Sequence, residues 1–402
     1  MVIDKVIKNN TCSGCGLCES VFTKRKVEIK MDSSGYLRPH VSKNLTYDEN
    51  SQFNRFCPGI VIKKEQNDTP LYDPIWGEMY SCSIGASSDL KTRNEASSGG
   101  AISSLLNYLL EKNIVEAIVH VGASKNLPFL NEVKVSKTKL EILENANSRY
   151  SPSAPLNNIL EIINNYEKIA FVGKPCDVAA LRQYSFINNT VKSKVKYMIS
   201  FFCAGVPSLS ATKDIVKALG VENDDVIKVD YRKEGWPGYF RVISKDYIKY
   251  RLSYSLTWMK LLGPKVQFRC KICPDGVGHL SDIVCADGWE DFDNKGFPTF
   301  KNAPGKSIII SRTKNGEDLL RQAFKDEYLI KFKDITDFRL IDKIQPGQMA
   351  KKQFFFVRNL ATRIKTNTYI KTNKEFYFKA MFTKSFITQL RNFYGTFSRI
   401  KK

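Results

Sequence analysis

The residues with the clearest chemical potential are the ten cysteines of this 402-residue chain. Four of them form a first group, in which three stand at two-residue spacing and the fourth is followed by proline. The first group consists of Cys12, Cys15, Cys18 and Cys57. A cubane iron–sulfur cluster needs four thiolates, and two-residue spacers let one tight loop supply three of them, with Gly14 and Gly16 permitting close backbone approach. We therefore predict that the first group ligates a 4Fe–4S cluster.

A structural zinc site made of the same four cysteines is the alternative. Zinc ribbons usually consist of two paired C-x2-C knuckles, so a triple run favours the cluster. The chain has only three histidines, His40, His120 and His279. This argues against zinc fingers of the Cys/His type and against acid–base chemistry centred on histidine. The chemistry is therefore expected to belong to a cofactor.

Four further cysteines form a candidate second group. The second group consists of Cys176, Cys203, Cys270 and Cys273. Cys176 and Cys203 each follow a predicted strand, so both should lie at carboxyl ends of strands, where α/β sheets place their binding sites. Cys176 also begins a predicted helix, whose dipole would favour a thiolate. From spacing alone, buried structural cysteines plus a redox-active C-x2-C pair remain the alternative.

The elements that position these cysteines follow from hydrophobic periodicity. Residues 27–30 and 37–39 are predicted strands that flank a turn at 33–36. Further predicted strands are 114–121, 168–173, 195–202, 226–231 and 308–310. Predicted helices are 177–184, 208–219 and one that begins after the Ser-Ser-Gly-Gly stretch at 97–100. This interleaving predicts an α/β or α+β domain over about 75–345. Residues 64–70 are polar and end in proline, which predicts a linker.

Positive charge is concentrated at the C-terminus. The chain carries a formal net charge of +21, and residues 351–402 contain thirteen Lys and Arg against one acidic residue. Aromatic residues interleave with these cations, namely Phe376, Tyr377, Phe378, Phe382, Phe386, Phe393, Tyr394 and Phe397. Residues 346–402 are therefore predicted to form a basic helical tail. Such a tail could contact an anionic membrane surface, an acidic protein or nucleic acid. The alternative is a helical extension that remains solvated.

The cellular location follows from the apolar stretches and the cysteine content. No run of about 18 apolar residues is present, and the first residues lack the pattern of a signal peptide. Ten cysteines in a reducing compartment are better explained by ligation than by disulfides. We expect a cytoplasmic protein, with contact to the inner membrane surface as an option that the tail leaves open.

Several motifs, in the same order, resemble the coenzyme F420 hydrogenase/dehydrogenase beta-subunit family. They are SSGGA at 97–101, NSRY at 147–150, GKPCDVAALR at 173–182, FCAGVPS at 202–208 and FRCKICPDGVGHLSDIVCADGW at 268–289. The resemblance covers about residues 1–345. It implies an α+β fold in which a small ferredoxin-like 4Fe–4S module (1–65) precedes an α/β domain (75–345) that holds FAD and a second 4Fe–4S cluster. The second group would ligate that cluster, whereas Cys82 and Cys285 are expected to be buried thiols.

The resemblance also implies a set of flavin-binding residues. They are Ser98, Gly99, Gly100, Arg149, Lys174 and Asp287, with Asp282 and Trp289 as further candidates for the pocket wall. The serine and the glycines would present backbone amides at a helix start, and the two cations would hold a diphosphate or an anionic ring. The alternatives are an ordinary helix cap, solvated surface charges and a turn at a strand edge.

The predicted function is an iron–sulfur flavoprotein oxidoreductase in which electrons enter at the first group, pass the second and reach FAD and a bound substrate. The main hypothesis is a ferredoxin-linked reductase of a small molecule, in surface polysaccharide synthesis. The alternative is an electron-transfer beta subunit that reduces coenzyme F420 in a hydrogenase or dehydrogenase complex, and a zinc-stabilised nucleic-acid-binding protein is the third. Expected partners are a ferredoxin or similar donor, the substrate and whatever the tail contacts, with nucleic acid the least expected.

Overall fold

The computed structural model of the protein describes residues 1–64, 69–373 and 375–400. Its N-terminal part combines short helices with a hairpin. In chain order the elements are α1 (Val2–Lys8), α2 (Leu17–Phe22), β1 (Val27–Met31), β2 (Leu37–Val41), α3 (Tyr47–Phe56) and β3 (Val61–Ile62). Strands β1 and β2 pair antiparallel around the turn that the sequence predicts, where Asp32 Oδ1 accepts hydrogen bonds from the backbone N–H groups of Ser34 and Tyr36. The predicted hairpin is confirmed.

A mixed sheet of eight strands dominates the described part of the chain. The strands of the central region are β4 (Leu71–Asp73), β5 (Gly77–Met79), β6 (Ser81–Ser87), β7 (Ala117–Ala123), β8 (Asn131–Ser136), β9 (Ile169–Gly173), β10 (Val195–Phe201), β11 (Val226–Lys233), β12 (Tyr239–Ser244), β13 (Lys249–Ser253), β14 (Ile283–Asp287), β15 (Ser307–Ser311) and β16 (Leu329–Asp334). The order in the large sheet is β16-β6-β15-β14-β10-β9-β7-β8. Its central strands β14, β10, β9 and β7 are parallel, and the outer strands pair antiparallel.

Helices cover both faces of this sheet, which explains why its parallel strands are apolar runs. The helices of the central region are α4 (Leu90–Glu95), α5 (Ala101–Glu111), α6 (Lys139–Glu144), α7 (Ile159–Asn164), α8 (Pro175–Ser185), α9 (Asn189–Lys194), α10 (Leu209–Ala218), α11 (Phe268–Lys271) and α12 (Lys314–Lys325). A π-helix covers Ser255–Leu262, and 3-10 turns cover Asn223–Asp225 and Gly263–Lys265. Strands β11, β12 and β13 form a separate antiparallel sheet. The predicted strands correspond to β7, β9, β10, β11 and β15, and the predicted helices to α5, α8 and α10, so these predictions are confirmed.

The N-terminal part shares a hydrophobic core with the large sheet. The rings of Phe56 in α3 and Tyr184 in α8 lie 5.4 Å apart, edge to face. Gln183 Nε2 donates to the carbonyl oxygens of Phe56 and Val61 at 3.2 and 3.1 Å. Residues 1–62 therefore pack directly onto the sheet. Of the predicted linker at 64–70, residues 65–68 lie outside the described residues.

The basic tail folds back onto the rest of the chain. Its elements and the helix before it are α13 (Arg339–Ile344), α14 (Pro346–Thr366), β17 (Lys371–Thr372), α15 (Glu375–Met381) and α16 (Phe386–Arg399). Lys352 and Phe355 of α14 are each only 2% exposed. Strand β17 pairs in parallel with β3. The alternative of a solvated extension is therefore wrong for α14 and β17, whereas Phe382, Phe386 and Tyr394 are more than half exposed. Lys374, Lys401, Lys402 and the side chains of Glu375 and Phe376 lie outside the description.

None of the helices within the described ranges is long and apolar enough to cross a bilayer.

Candidate functional site

The four thiols of the first cysteine group are buried: Cys12 and Cys15 lie in the loop before α2, Cys18 lies in α2, and Cys57 follows α3. Burial raises the pKa of each thiol, and the charges of Cys15 and Cys12 raise the pKa of both Cys18 and Cys57 further. Every sulfur also accepts a backbone hydrogen bond: from Gly14 to Cys12 at 3.3 Å, and from Leu17, Glu19 and Gly59 to Cys15, Cys18 and Cys57. N–H groups directed at sulfur suit ligands that carry negative charge.

Two glycines let this loop close against the rest of the chain. Gly16 has φ of +90°, and a Cβ at this position would lie 2.8 Å from the backbone nitrogen of Asn157. The backbone N–H of Leu156 donates to the carbonyl oxygen of Cys15 at 3.0 Å. Gly14 has φ of +75°, and a Cβ there would lie 3.0 Å from the Leu37 carbonyl oxygen. The packing of the loop against these residues therefore requires both glycines, and the predicted approach of their backbone to a cluster stays a prediction.

The second group gathers from three places in the chain. Cys176 stands in the first turn of α8, Cys203 follows the end of β10, and Cys270 and Cys273 flank the end of α11. The predicted positions at strand ends are confirmed for Cys176 and Cys203. Burial raises the pKa of Cys203 to about 12, with further contributions from Cys270 and Cys273. All four thiols are partly exposed, unlike those of the first group.

A buried guanidinium lies between the two groups. Arg269 is 1% exposed, and its Nη2 donates to the carbonyl oxygen of Pro58, the residue after Cys57, at 2.8 Å. Burial opposes its charge, but neighbouring thiols, Cys273 foremost, raise the pKa of Arg269. No Asp or Glu in the described ranges forms an ion pair with it. Among the described residues, the groups that favour the charge of Arg269 are therefore the cysteine sulfurs of the second group.

The other two cysteines lie in the large sheet. Cys82 in β6 and Cys285 in β14 are buried, and burial raises the pKa of each to about 12. The prediction of buried thiols is confirmed for both.

Within the described residues, no set of three or more His, Cys, Asp or Glu side chains is arranged to hold a single metal ion.

A cavity of about 250 Å³ opens at the carboxyl ends of the parallel strands. Residues from the ends of β9, β10 and β14 line it together with the first turn of α5, which is where α/β sheets bind ligands. Of the six flavin-binding candidates, the cavity brings together Ser98, Gly100, Arg149, Lys174 and Asp287. Gly99 lies behind the wall, where a Cβ would come within 2.8 Å of the Ser307 nitrogen, so packing against β15 requires this glycine.

Cys203 lines the same cavity. It belongs to the second group, so this thiol joins the cysteine site to the cavity. A molecule bound in the cavity would therefore lie next to the second group.

The two predicted cations of the cavity wall, Lys174 and Arg149, are not solvated charges. Lys174 is 8% exposed, and its Nζ contacts Asp177 Oδ2 at 2.7 Å and Ser153 Oγ at 2.8 Å. Burial opposes the lysine charge, but Asp177 outweighs it and raises the pKa of Lys174. Arg149 is half-buried and donates from Nε to Asn131 Oδ1 at 2.7 Å and from Nη1 to the Val229 carbonyl oxygen at 2.6 Å. The donors of both side chains are thus engaged within the protein.

Asp287 forms a buried ion pair in the wall. Arg232 donates to it through both Nη atoms at 2.9 and 3.0 Å, and Trp236 Nε1 donates at 2.8 Å. Burial opposes the guanidinium charge, and Asp287 more than compensates and raises the pKa of Arg232. The further candidates Asp282 and Trp289 do not line the cavity: Asp282 accepts from Arg182, and Trp289 stacks on Trp236 with ring centroids 4.4 Å apart.

Sequence reasoning missed several cavity residues, among them His120, Tyr150, Asp177 and Arg232. His120 shares a hydrogen bond of 2.7 Å with Ser136 Oγ, and burial lowers its pKa to about 4. Asp177 is fully buried, and its Oδ1 has no hydrogen-bond partner among the residues that the structure describes. Asp177 and Tyr150 lie inside the quoted motifs, which is the signal that could have identified them.

Two lysines of the tail donate hydrogen bonds to the backbone beside cysteines of the second group. Lys352 Nζ donates to the carbonyl oxygen of Pro274 at 3.1 Å, and Lys351 Nζ donates to that of Cys203 at 3.3 Å. Both lysines come from α14. The basic tail is thus part of the site and not a remote extension.

Two family profiles match the chain. The N-terminal profile of coenzyme F420 hydrogenase/dehydrogenase beta subunits matches residues 82–161, and the C-terminal profile matches 166–337. The chain belongs to this beta-subunit family. The matched residues of this family member include the large sheet and the cavity wall and end before the basic tail.

Individual relatives agree with this assignment. The coenzyme F420 hydrogenase subunit beta of Methanothermobacter thermautotrophicus is 27% identical over 65% of this chain and 84% of its own length. The coenzyme F420-dependent sulfite reductase of Methanocaldococcus jannaschii is 22% identical over 92% of this chain and 53% of its own length. These names support an oxidoreductase role for the family member described here.

A solved structure shares the fold. A chain of the F420-reducing NiFe hydrogenase complex from Methanosarcina barkeri superposes with a TM-score of 0.57, covering 75% of this chain and 98% of that chain at 22% identity. The mixed α/β fold with one large sheet is therefore common to both.

Proposed function

We propose that this protein is the iron–sulfur flavoprotein subunit of an F420-linked oxidoreductase complex, holding two 4Fe–4S clusters and FAD. The proposal rests on one observation: Cys203 belongs to the second cysteine group and also lines the cavity. A redox cofactor in that cavity would lie against a cluster ligand. The names of the relatives favour a subunit that exchanges hydride with coenzyme F420 over a metabolite reductase of surface polysaccharide synthesis. They also favour an oxidoreductase over a zinc-stabilised nucleic-acid-binding protein.

The two cysteine groups suit anionic iron–sulfur clusters. In the first group, each sulfur accepts a backbone N–H. Between the groups, the buried charge of Arg269 requires a lasting anion. Thiolates bound to iron provide that anion and remove the cost of burying free thiolates, because metal binding and deprotonation are coupled. We therefore propose that both groups ligate 4Fe–4S clusters.

The cavity suits a flavin. The eleven-residue helix α5 begins at the wall with Ala101, Ile102 and Ser103, where N–H groups and the helix dipole favour phosphate. Lys174 adds a cation whose charge Asp177 already balances, so we assign the diphosphate chiefly to the helix start. The partnerless Oδ1 of Asp177 can accept a hydrogen bond from a ring N–H.

When bound, a flavin exchanges a hydride or single electrons, whereas clusters pass one electron at a time. The residues of the chain fix the surroundings of that chemistry. The Arg232–Asp287 pair and the Lys174–Asp177 pair hold buried charges in place, so they need not reorganise during the reaction. His120 is neutral near pH 7 because burial lowers its pKa to about 4, so it adds no charge to the wall.

Metal analysis of variants tests the clusters. Anaerobically purified protein should contain about eight iron atoms, and Cys15→Ser or Cys273→Ser should each remove about four. Cys82→Ser is the matched control, because Cys82 is buried in β6 and belongs to neither group. Unchanged iron in both ligand variants would show that the cysteines do not bind clusters.

Flavin content and its reaction with reduced F420 test the cavity. The purified protein should release FAD on denaturation, and reduced F420 should bleach the bound flavin. Asp177→Ala should weaken flavin retention, whereas Asp318→Ala on the exposed face of α12 should not. Absence of flavin from anaerobically reconstituted protein contradicts the assignment of the cavity.

A further inference from the structure

A recess of about 410 Å³ has Cys270 in its wall. Four cationic side chains surround it, namely Lys271, Lys351, Arg358 and Arg399. No acidic residue of the described chain is among those that line it. The recess therefore presents concentrated positive charge beside a cysteine of the second group.

Within the described residues, no carboxylate forms an ion pair with a cation of the recess. Arg358 donates to the carbonyl oxygen of Lys271 at 3.1 Å and to Asn392 Oδ1 at 2.8 Å, and Lys351 donates to backbone carbonyl oxygens. These acceptors are neutral. Burial and the like charge of Arg399 lower the pKa of Arg358. An anion placed in the recess would relieve this repulsion.

The basic tail creates most of this charge. Lys351 and Arg358 come from α14, and Arg399 comes from the end of α16. The family profiles end at residue 337, so the recess is a feature that the tail adds to the shared fold.

A segment with exposed apolar side chains leads along the chain into the recess. The π-helix Ser255–Leu262 leads directly into Gly263 of the recess, and it exposes Leu256, Met259 and Leu261. A small anion would gain nothing from these side chains. Apolar contacts next to complementary charge are what a protein partner uses for binding and for orientation.

We propose that the cationic recess, defined by Cys270 and its four cations, is the docking site of an acidic one-electron carrier protein. The inference rests on the proposed function, because it takes Cys270 as a cluster ligand. In each encounter the reduced carrier would lose one electron, and the 4Fe–4S cluster that the second group would hold would gain it, with no bond formed or broken. This route differs from the sequence expectation that electrons enter at the first group, whose thiols are buried.

Stopped-flow reduction of the holo-protein by a reduced acidic bacterial ferredoxin tests the inference. Arg399→Glu should lower the second-order rate constant about tenfold at low ionic strength, with the difference shrinking as salt screens the charges. Arg391→Glu lies on the same helix outside the recess and is exposed, so it should change the rate less than about twofold.

Separate readings distinguish the docking site from the proposed function. If dithionite fails to bleach the wild-type protein, the proposed clusters are wrong. Two results would show that the docking site is wrong even though dithionite bleaches all variants. In the first, ferredoxin reduces none of the proteins; in the second, it reduces the Arg399→Glu and Arg391→Glu variants equally fast. Binding to vesicles with anionic phospholipids that Arg399→Glu abolishes, without an effect on ferredoxin, assigns the recess to a membrane surface and also overturns the inference.

Discussion

The guanidinium of Arg269 donates a hydrogen bond of 2.8 Å to the carbonyl oxygen of Pro58, a residue 211 positions away in sequence. Arg269 precedes Cys270 and Pro58 follows Cys57, so this contact places the two cysteine groups side by side. The buried cation also influences Cys12, Cys57 and Cys176 through its charge. It therefore acts on both groups at once.

Removal of the Arg269 charge should make the proposed clusters harder to reduce. At an effective dielectric constant of about 20, a nearby unit charge contributes on the order of 2 kcal/mol, which corresponds to a decrease in potential on the order of 100 mV for Arg269→Met. Redox titration monitored by electron paramagnetic resonance measures it. Arg269→Lys retains the charge and should shift the potentials by less than half as much. Equal potentials in the Met variant and the wild type would contradict the electrostatic role.

Breaking the Arg232–Asp287 pair should destabilise the fold strongly. Asp287→Asn leaves the guanidinium of Arg232, 2% exposed, without its counter-charge, which costs about 3–5 kcal/mol. Thermal unfolding of the anaerobic holo-protein reports the loss. Asp318→Asn removes a comparable pair with Lys314 whose side chains are 56% and 63% exposed, and it should cost less than about 1 kcal/mol. Equal losses in the two variants would show that burial does not matter here.

His120 should make the protein less stable in mild acid. Burial lowers its pKa from 6.5 to about 4, so the unfolded chain takes up a proton below pH 6.5 that the folded chain resists. Stability therefore falls as the pH drops from 6.5 toward 4, by about 2 kcal/mol between pH 7 and 5. His120→Gln keeps a partner for Ser136 without titrating, so its unfolding midpoint should depend less on pH. The same pH dependence in both proteins would contradict this assignment.

Phe355 should anchor the tail. It is 2% exposed, and its ring lies 4.5 Å from that of Tyr377. Phe355→Ala should cost about 3–5 kcal/mol and expose the tail to limited proteolysis. Phe386→Ala, at a position 77% exposed, should cost less than about 0.5 kcal/mol. If both variants resist proteolysis equally, the tail is not held by this contact.

Local patterns predicted much of the fold. Apolar runs identify β7, β9 and β10 because strands buried on both faces contain little else. The same pattern does not predict strand β6, because its sequence SCSIGAS consists mainly of small and polar residues. These residues become buried only because β6 lies between β15 and β16 in the sheet. The candidate site shows the same division: spacing predicts the first cysteine group, the family resemblance predicts the second, and the contacts of Arg149 and Asp287 depend on partners far along the chain.

By itself, the sequence predicted the first cysteine group from its spacing and the second group from the family resemblance. It also placed Cys176 and Cys203 at strand ends and determined the charge of the tail, because these two properties follow from residue type and local pattern. Only the tertiary structure decided that Arg269 lies between the groups, that Asp177 neutralises Lys174 beside the cavity, and that α14 covers the second group. Such contacts join residues whose approach depends on how the whole hydrophobic core packs, and no local pattern encodes that packing.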